Sequence, residues 1–203
     1  MLKGLERTLK AVLASLFSPF VRQNPAAIPS GFNPRLILVV RQHNQLGDML
    51  CVVPLLRSLR QKYPSAEIVL MTSPVNREVM LHNRHMDRII DYDKRLFVGR
   101  WGLKVLPLLR YIRNLRAKQF DVVLVPSTVS FSATSSLLAF LSGAPWRIGV
   151  GSVDGKENRS AVFFNSPVRL DWRAEPHRHQ TLRNLDVAAP LGLSSGRLTS
   201  GFR

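Results

Sequence analysis

Asp48 lies in the stretch "RQHNQLGDMLCVVP", directly after Gly47, where an apolar run ending near Arg41 gives way to a polar turn. A carboxylate at such a turn has two uses. Near a helix start it satisfies free N–H groups and complements the helix dipole. On a binding edge it can instead draw the proton from a hydroxyl and make it a competent nucleophile. Spacing alone leaves both open. Gly47 permits a tight turn or the close approach of another molecule to the backbone, which makes it a candidate contact. The turn has neither the G-x-G-x-x-G of dinucleotide sites nor the G-x-x-x-x-G-K-[ST] of phosphate loops.

Other groups could serve the same site. Arg41, Arg77, Arg84, Lys94 and Arg100 are suited to carboxylates or phosphates. Ser127 and Thr128 follow a second apolar run, "FDVVLVPS", where hydroxyls either contact a ligand or cap the next helix. His82 and His85, and His177 and His179 beside Glu175, lack the Cys or carboxylate spacing of a zinc site, so no metal is expected. Cys51 is the single cysteine and reads as a small buried hydrophobe, with no internal disulfide to form. Trp101, Trp146 and Trp172 read first as core or hinge residues.

Positioning these groups requires a scaffold, and 203 residues are enough for one well-buried domain with appendages. Strand-length apolar runs, "RLILVV", "AEIVLMT", "MDRIID", "FDVVLV" and "WRIGV", alternate with helical stretches. One helix is expected over about Asp48 to Lys62, with Pro54 kinking it or marking the start of its regular part. Others are "SPVNREVMLHN", the basic "RWGLKVLPLLRYIRNLRAK" and "SFSATSSLLAFLSG". This pattern predicts an α/β fold: a Rossmann-like, mostly parallel sheet with helices on both faces. Ligands then bind outside the carboxyl ends of the strands, at the loops after Val40, Thr72, Asp93, Pro126 and Val150. "GSVDGKENRSA" reads as a mobile loop, and "HRHQTLRNLDVAAPLGL" as a last helix.

Residues 1–34 read as a basic amphipathic helix and a Pro-rich linker, 35–193 as the domain, and 194–203 as an irregular tail. The first segment fits interfacial membrane contact, a helix packed on its own domain, or a cleaved signal. With 29 Lys and Arg against 13 Asp and Glu, the formal charge of +16 favours an anionic partner: nucleic acid, membrane or glycan. The basic residues are spread through the strand and helix pattern with no recognised reader motif, so nucleic acid is not expected.

In their order, several segments resemble glycosyltransferase family nine, the lipopolysaccharide heptosyltransferases. Arg41, Leu46-Gly47-Asp48, Val53-Pro54 and Tyr63-Pro64 occupy the places of the family's opening strand, turn, helix and approach to strand two. "DRIIDYDK", "FDVVLVPS", "LSGAPWRIGV" and the His-led stretch to "LDVAAPLGL" follow in the family's order, so the likeness runs from about Leu36 to Leu193. Val52-Val53-Pro54 replaces the family's Thr-Thr-Pro and removes two hydroxyls. Gln42, His43, Asn44 and Gln45 differ as well and are placed to select a different acceptor sugar.

The resemblance implies the N-terminal, acceptor-binding domain of a GT-B enzyme that inverts configuration without a metal. Its donor would be a nucleotide-sugar, ADP-heptose, held by a C-terminal domain that these residues do not supply; no other cofactor is implied. Asp48 takes the place of the general base. Arg41, Asn44, Gly47, Ser127, Thr128, Arg77 and Lys94 are the candidate acceptor contacts. The acceptor would be an anionic lipid-linked glycan at the cytoplasmic face of the inner membrane. A non-catalytic, membrane-associated remnant is the alternative reading.

Overall fold

The computed structural model describes residues 28–42, 45–99, 102–126, 128 and 130–193. The expectations for the N-terminal helix, His43, Asn44, Arg100, Trp101, Ser127 and the tail lie outside these residues.

Five apolar runs form the expected parallel strands: β1 (Leu36–Arg41), β2 (Glu67–Thr72), β3 (Arg88–Asp91), β6 (Val122–Val125) and β7 (Trp146–Val153). Their order in the sheet is β3-β2-β1-β6-β7, with every neighbouring pair parallel. Between β3 and β6 a short antiparallel hairpin, β4 (Val98–Gly99) and β5 (Gly102–Leu103), stands apart. β1 shows why both faces are covered. Ile37 and Val39 enter one core with Ile68 and Leu70, whereas Leu38 and Val40 enter the other with Val69 and Met71. Alternate side chains of a strand point to opposite faces, so an unbroken apolar run has a use only where helices cover both.

On the first face lie α1 (Leu46–Leu50), α2 (Val53–Lys62) and α6 (Gln180–Asp186); Leu55, Leu56, Leu59 and Leu185 are buried there. α3 (Pro74–Met80) joins β2 to β3. On the second face, α4 (Val105–Arg116) and α5 (Ala133–Leu141) contribute Leu115 and Leu138.

The helix expected from Asp48 to Lys62 is two. It breaks after Leu50, and Pro54 sits in the first turn of α2, where its missing N–H has no intrahelical partner to lose. The basic helix begins at Val105, after the β4-β5 hairpin, later than its sequence suggests.

The segment read as a mobile loop is part of the sheet. β7 continues to Val153, turns at Asp154-Gly155 into β8 (Lys156–Glu157), and β9 (Ser166–Leu170) then pairs parallel with β7. Asn158 holds the turn, donating from Nδ2 to Val150 O at 2.7 Å and accepting from Ser160 N at 3.0 Å. Alternating exposure along β9 explains why its sequence, "SPVRL", carries no buried-strand signal. Upstream of Arg35, Ile28 and Phe32 pack on the core, and Phe32 meets Trp146 edge to face at 6.1 Å.

Two aspartates align the strand beginnings. Asp121 Oδ2 accepts from the N–H groups of Arg35 and Leu36 at 2.7 and 2.9 Å, and Asp87 Oδ2 accepts from Ile68 N at 2.6 Å. With the starts fixed, the opposite ends are flush: Arg41 registers with Thr72, and Thr72 with Asp91.

Candidate functional site

Arg41 ends β1, and its side chain is only 2% exposed. Its Nη2 meets Asp48 Oδ2 at 2.8 Å, and its Nη1 donates to Pro126 O at 2.9 Å. The guanidinium thus ties together the end of β1, the first turn of α1 and the loop after β6. Burial lowers its pKa from the ordinary arginine value, and the Asp48 carboxylate opposes that shift. Arg41 faces inward, so in this arrangement it orients Asp48 from beneath and is not a surface contact.

Asp48 is in the first turn of α1 and is 24% exposed. The N-cap position belongs to Gln45, whose side chain makes no cap hydrogen bond. Asp48 is therefore held by an ion pair across the turn, with part of the carboxylate open to solvent. Gly47 beside it has no positive φ, and a Cβ built there would meet nothing within 4 Å. Neither backbone conformation nor packing requires a glycine at this position.

Thr128 is buried, and its hydroxyl is committed to a network. It donates to Asn184 Oδ1 at 3.1 Å and accepts from Gln180 Nε2; Gln180 also donates to Asn184 Oδ1, at 3.2 Å. Asn184 Nδ2 donates to Cys51 O at 3.0 Å, immediately after α1. Thr128 therefore supports the wall behind Asp48 and does not face solvent. The sequence reading missed Gln180 and Asn184. Their signal was two amides one helical turn apart in "QTLRNLD", where a core-facing pair must find polar partners.

The remaining candidates are less close-knit. Arg77 Nη1 pairs with Asp91 Oδ2 at 2.6 Å at the end of β3, both partly exposed. Lys94 opens the 3-10 turn Lys94–Leu96 and is exposed. Gln42 donates from Nε2 to Ser132 Oγ at 3.1 Å, and that hydroxyl caps α5 by accepting from Ser135 N. Thr72 and Ser73, at the end of β2, have buried hydroxyls with no partner among the described residues, as does Arg41 Nε.

His179 and Trp172 have structural uses. His179 caps α6, Nδ1 accepting from Thr181 N at 3.3 Å, and Trp172 is buried, donating from Nε1 to Asp186 Oδ2 at 3.0 Å. A hollow lined by Arg116, Gln119, Asp121, Ser142 and Gly143 lies near the opposite ends of the strands, away from Asp48.

No family model matches the sequence, and no curated protein does. Solved structures do match. A glycosyl transferase family 9 structure from Veillonella parvula aligns with TM-score 0.60 and 23% identity, over 80% of this chain and 42% of that one. The E. coli heptosyltransferase WaaC with ADP-2-deoxy-2-fluoro heptose aligns with TM-score 0.62 and 19% identity, over 78% of this chain and 49% of that one. E. coli ADP-heptose LPS heptosyltransferase II aligns with TM-score 0.56 and 23% identity, over 75% and 39%. The chain spans less than half the length of each of these three. Across that span it has the fold of the glycosyltransferase family 9 and heptosyltransferase structures.

Proposed function

We propose that this chain is the acceptor-binding half of an inverting, heptosyltransferase-like glycosyltransferase acting in lipopolysaccharide core or related surface glycan synthesis. One observation carries the reading: a partly open carboxylate, Asp48, fixed at the carboxyl edge of a parallel sheet by a buried arginine 2.8 Å away. A general base must be held in place and reachable at once, and this arrangement provides both. In the reaction, an acceptor hydroxyl oxygen bonds to the anomeric carbon of the donor sugar from the face opposite the nucleotide. Its proton passes to Asp48, and the bond to the nucleoside diphosphate breaks with its electron pair on the departing phosphate. Gly47 leaves room for the acceptor beside the base. Arg77, in α3 after β2, and Lys94, in the 3-10 turn after β3, follow neighbouring strand ends of the same edge and are suited to acceptor carboxylates or phosphates. Asn44 and Ser127 complete the proposed acceptor contacts.

The donor in this reading is ADP-heptose. The acceptor is an anionic, lipid-linked glycan on the cytoplasmic face of the inner membrane, and the chain works there as a peripheral protein. Among the described residues no helix is long and apolar enough to cross a membrane. The experiment is twofold. Titration of the chain with an inner-core oligosaccharide should show binding that Asp48→Asn retains. Transfer from ADP-heptose, assayed with a donor-binding half supplied, should be abolished by the same substitution. Full turnover by Asp48→Asn removes Asp48 from the base role, and absence of oligosaccharide binding removes the acceptor reading.

A further inference from the structure

We propose that the outer face of α4, with the turn that precedes it, docks on an anionic lipid bilayer. The helix has two opposed faces. Leu108, Tyr111, Ile112 and Leu115 recur at i, i+3, i+4 and i+7 and turn inward, with Leu115 in the core and Tyr111 against it. Half a turn around the axis, Leu106, Leu109, Arg110 and Arg113 repeat the same spacing and are exposed. Leu106 is 80% exposed and Leu109 55%. The outward stripe of a packed helix ordinarily carries polar residues. Here it carries leucine in its first half and arginine in its second.

The apolar part starts at the first residue of α4 and continues in the turn before it. Val105 is 54% exposed and Leu96, in the preceding 3-10 turn, 59%. Lys104 N donates to Phe97 O at 2.8 Å, which folds that turn back to the start of α4. From Lys94 to Phe120 the sequence holds eight Lys or Arg and no Asp or Glu. Neither Arg110 nor Arg113 has an ion pair among the described residues.

Exposed leucines bordered by arginines match the boundary of a bilayer, apolar within and anionic at the headgroups. Nucleic acid would engage the arginines and leave the leucines in water, so the combination favours lipid. The placement has a consequence for the site. α4 follows β3 and runs back toward the start of β6, so it begins at the same sheet edge as Asp48. Docking through α4 therefore brings that edge to the membrane surface. The surface stands on its own residues and does not depend on the transferase reading.

Co-sedimentation of the full chain with phosphatidylglycerol-phosphatidylcholine vesicles tests this, against phosphatidylcholine alone and a single-stranded RNA oligomer. Two double variants are compared, Leu106→Ser with Leu109→Ser and Arg110→Gln with Arg113→Gln. All four side chains face solvent, and circular dichroism checks that the fold is retained. Binding is expected to the anionic vesicles, and each basic residue lost should weaken it by about fivefold, the equivalent of ~1 kcal/mol at such a surface. The leucine pair should weaken it by about tenfold through lost apolar burial. Unchanged binding in both variants would assign vesicle contact to the residues before Ile28 and overturn the proposal. RNA binding lost with the arginine pair, without vesicle binding, would overturn it equally.

Discussion

Arg41 and Asp48 form a 2.8 Å ion pair whose partners are unequally buried, the arginine 2% exposed and the aspartate 24%. This asymmetry decides which substitution is worse. Removing Asp48 leaves a guanidinium under the surface without a counter-charge, whereas removing Arg41 leaves a carboxylate that water can reach. Asp48→Ala should lower unfolding stability by about 3 kcal/mol, near the lower range for breaking a buried pair. Arg41→Met should cost about 1 kcal/mol, mainly from the lost bond to Pro126 O. Asp48→Asn should fall between them, since its amide oxygen still accepts from Nη2. Urea titration measures all three, and greater damage from Arg41→Met would show that the pair is not the support of this turn.

Gly47 separates stability from function. The position is helical with open space for a Cβ, so Gly47→Ala should leave stability unchanged or raise it by about 0.5 kcal/mol. If an acceptor approaches the backbone beside Asp48, the added methyl weakens its binding in the same variant. Calorimetric titration with the oligosaccharide reads this directly. Wild-type affinity in a fully folded Gly47→Ala protein would mean that the acceptor does not come close at residue 47.

Behind the site, Asn184 joins Thr128 and Cys51 O through buried hydrogen bonds. Asn184→Ala strands the Cys51 carbonyl, and Thr128→Val leaves the Gln180 and Asn184 amides without their hydroxyl. Each should cost about 1–3 kcal/mol, the penalty for a buried polar group without a partner. Since the residues share bonds, the double variant should lose less than the sum, with a coupling of about 1 kcal/mol. Strict additivity in a thermal or urea double-mutant cycle would dissolve the network as a unit.

The central strands and the binding edge were legible in sequence because doubly buried parallel strands are continuous apolar runs, and "LILVV" and "DVVLV" have no other comfortable place. The edge followed from the alternation, and with it the position of Asp48. β9 was not legible: its exposed face puts Pro167 and Arg169 among the apolar residues, and its pairing partner lies earlier in the chain. The role of Arg41 was also hidden. An arginine after a strand looks like a ligand contact until its burial and its bond to Pro126 O, 85 positions away, are known. For the same reason Thr128 looked like a surface hydroxyl, and the helix that buries it comes more than fifty residues later.

Gly149 in "WRIGV" has a steric reason that only the fold reveals. A Cβ there would fall 2.2 Å from Phe164 Cζ, with two further ring atoms within 2.6 Å. Phe164 is itself buried in the second core, so the ring cannot swing into solvent without exposing that core. Gly149→Ala should therefore destabilise by about 3 kcal/mol, the upper range for overpacking a well-filled interior. Phe164→Leu alone should also cost about 1 kcal/mol through lost burial. Together the two should recover much of the Gly149→Ala loss, because the smaller side chain vacates the space the methyl needs. Urea unfolding of the four proteins completes the cycle. A double variant no more stable than Gly149→Ala would show that the Phe164 ring is not what excludes a side chain at position 149.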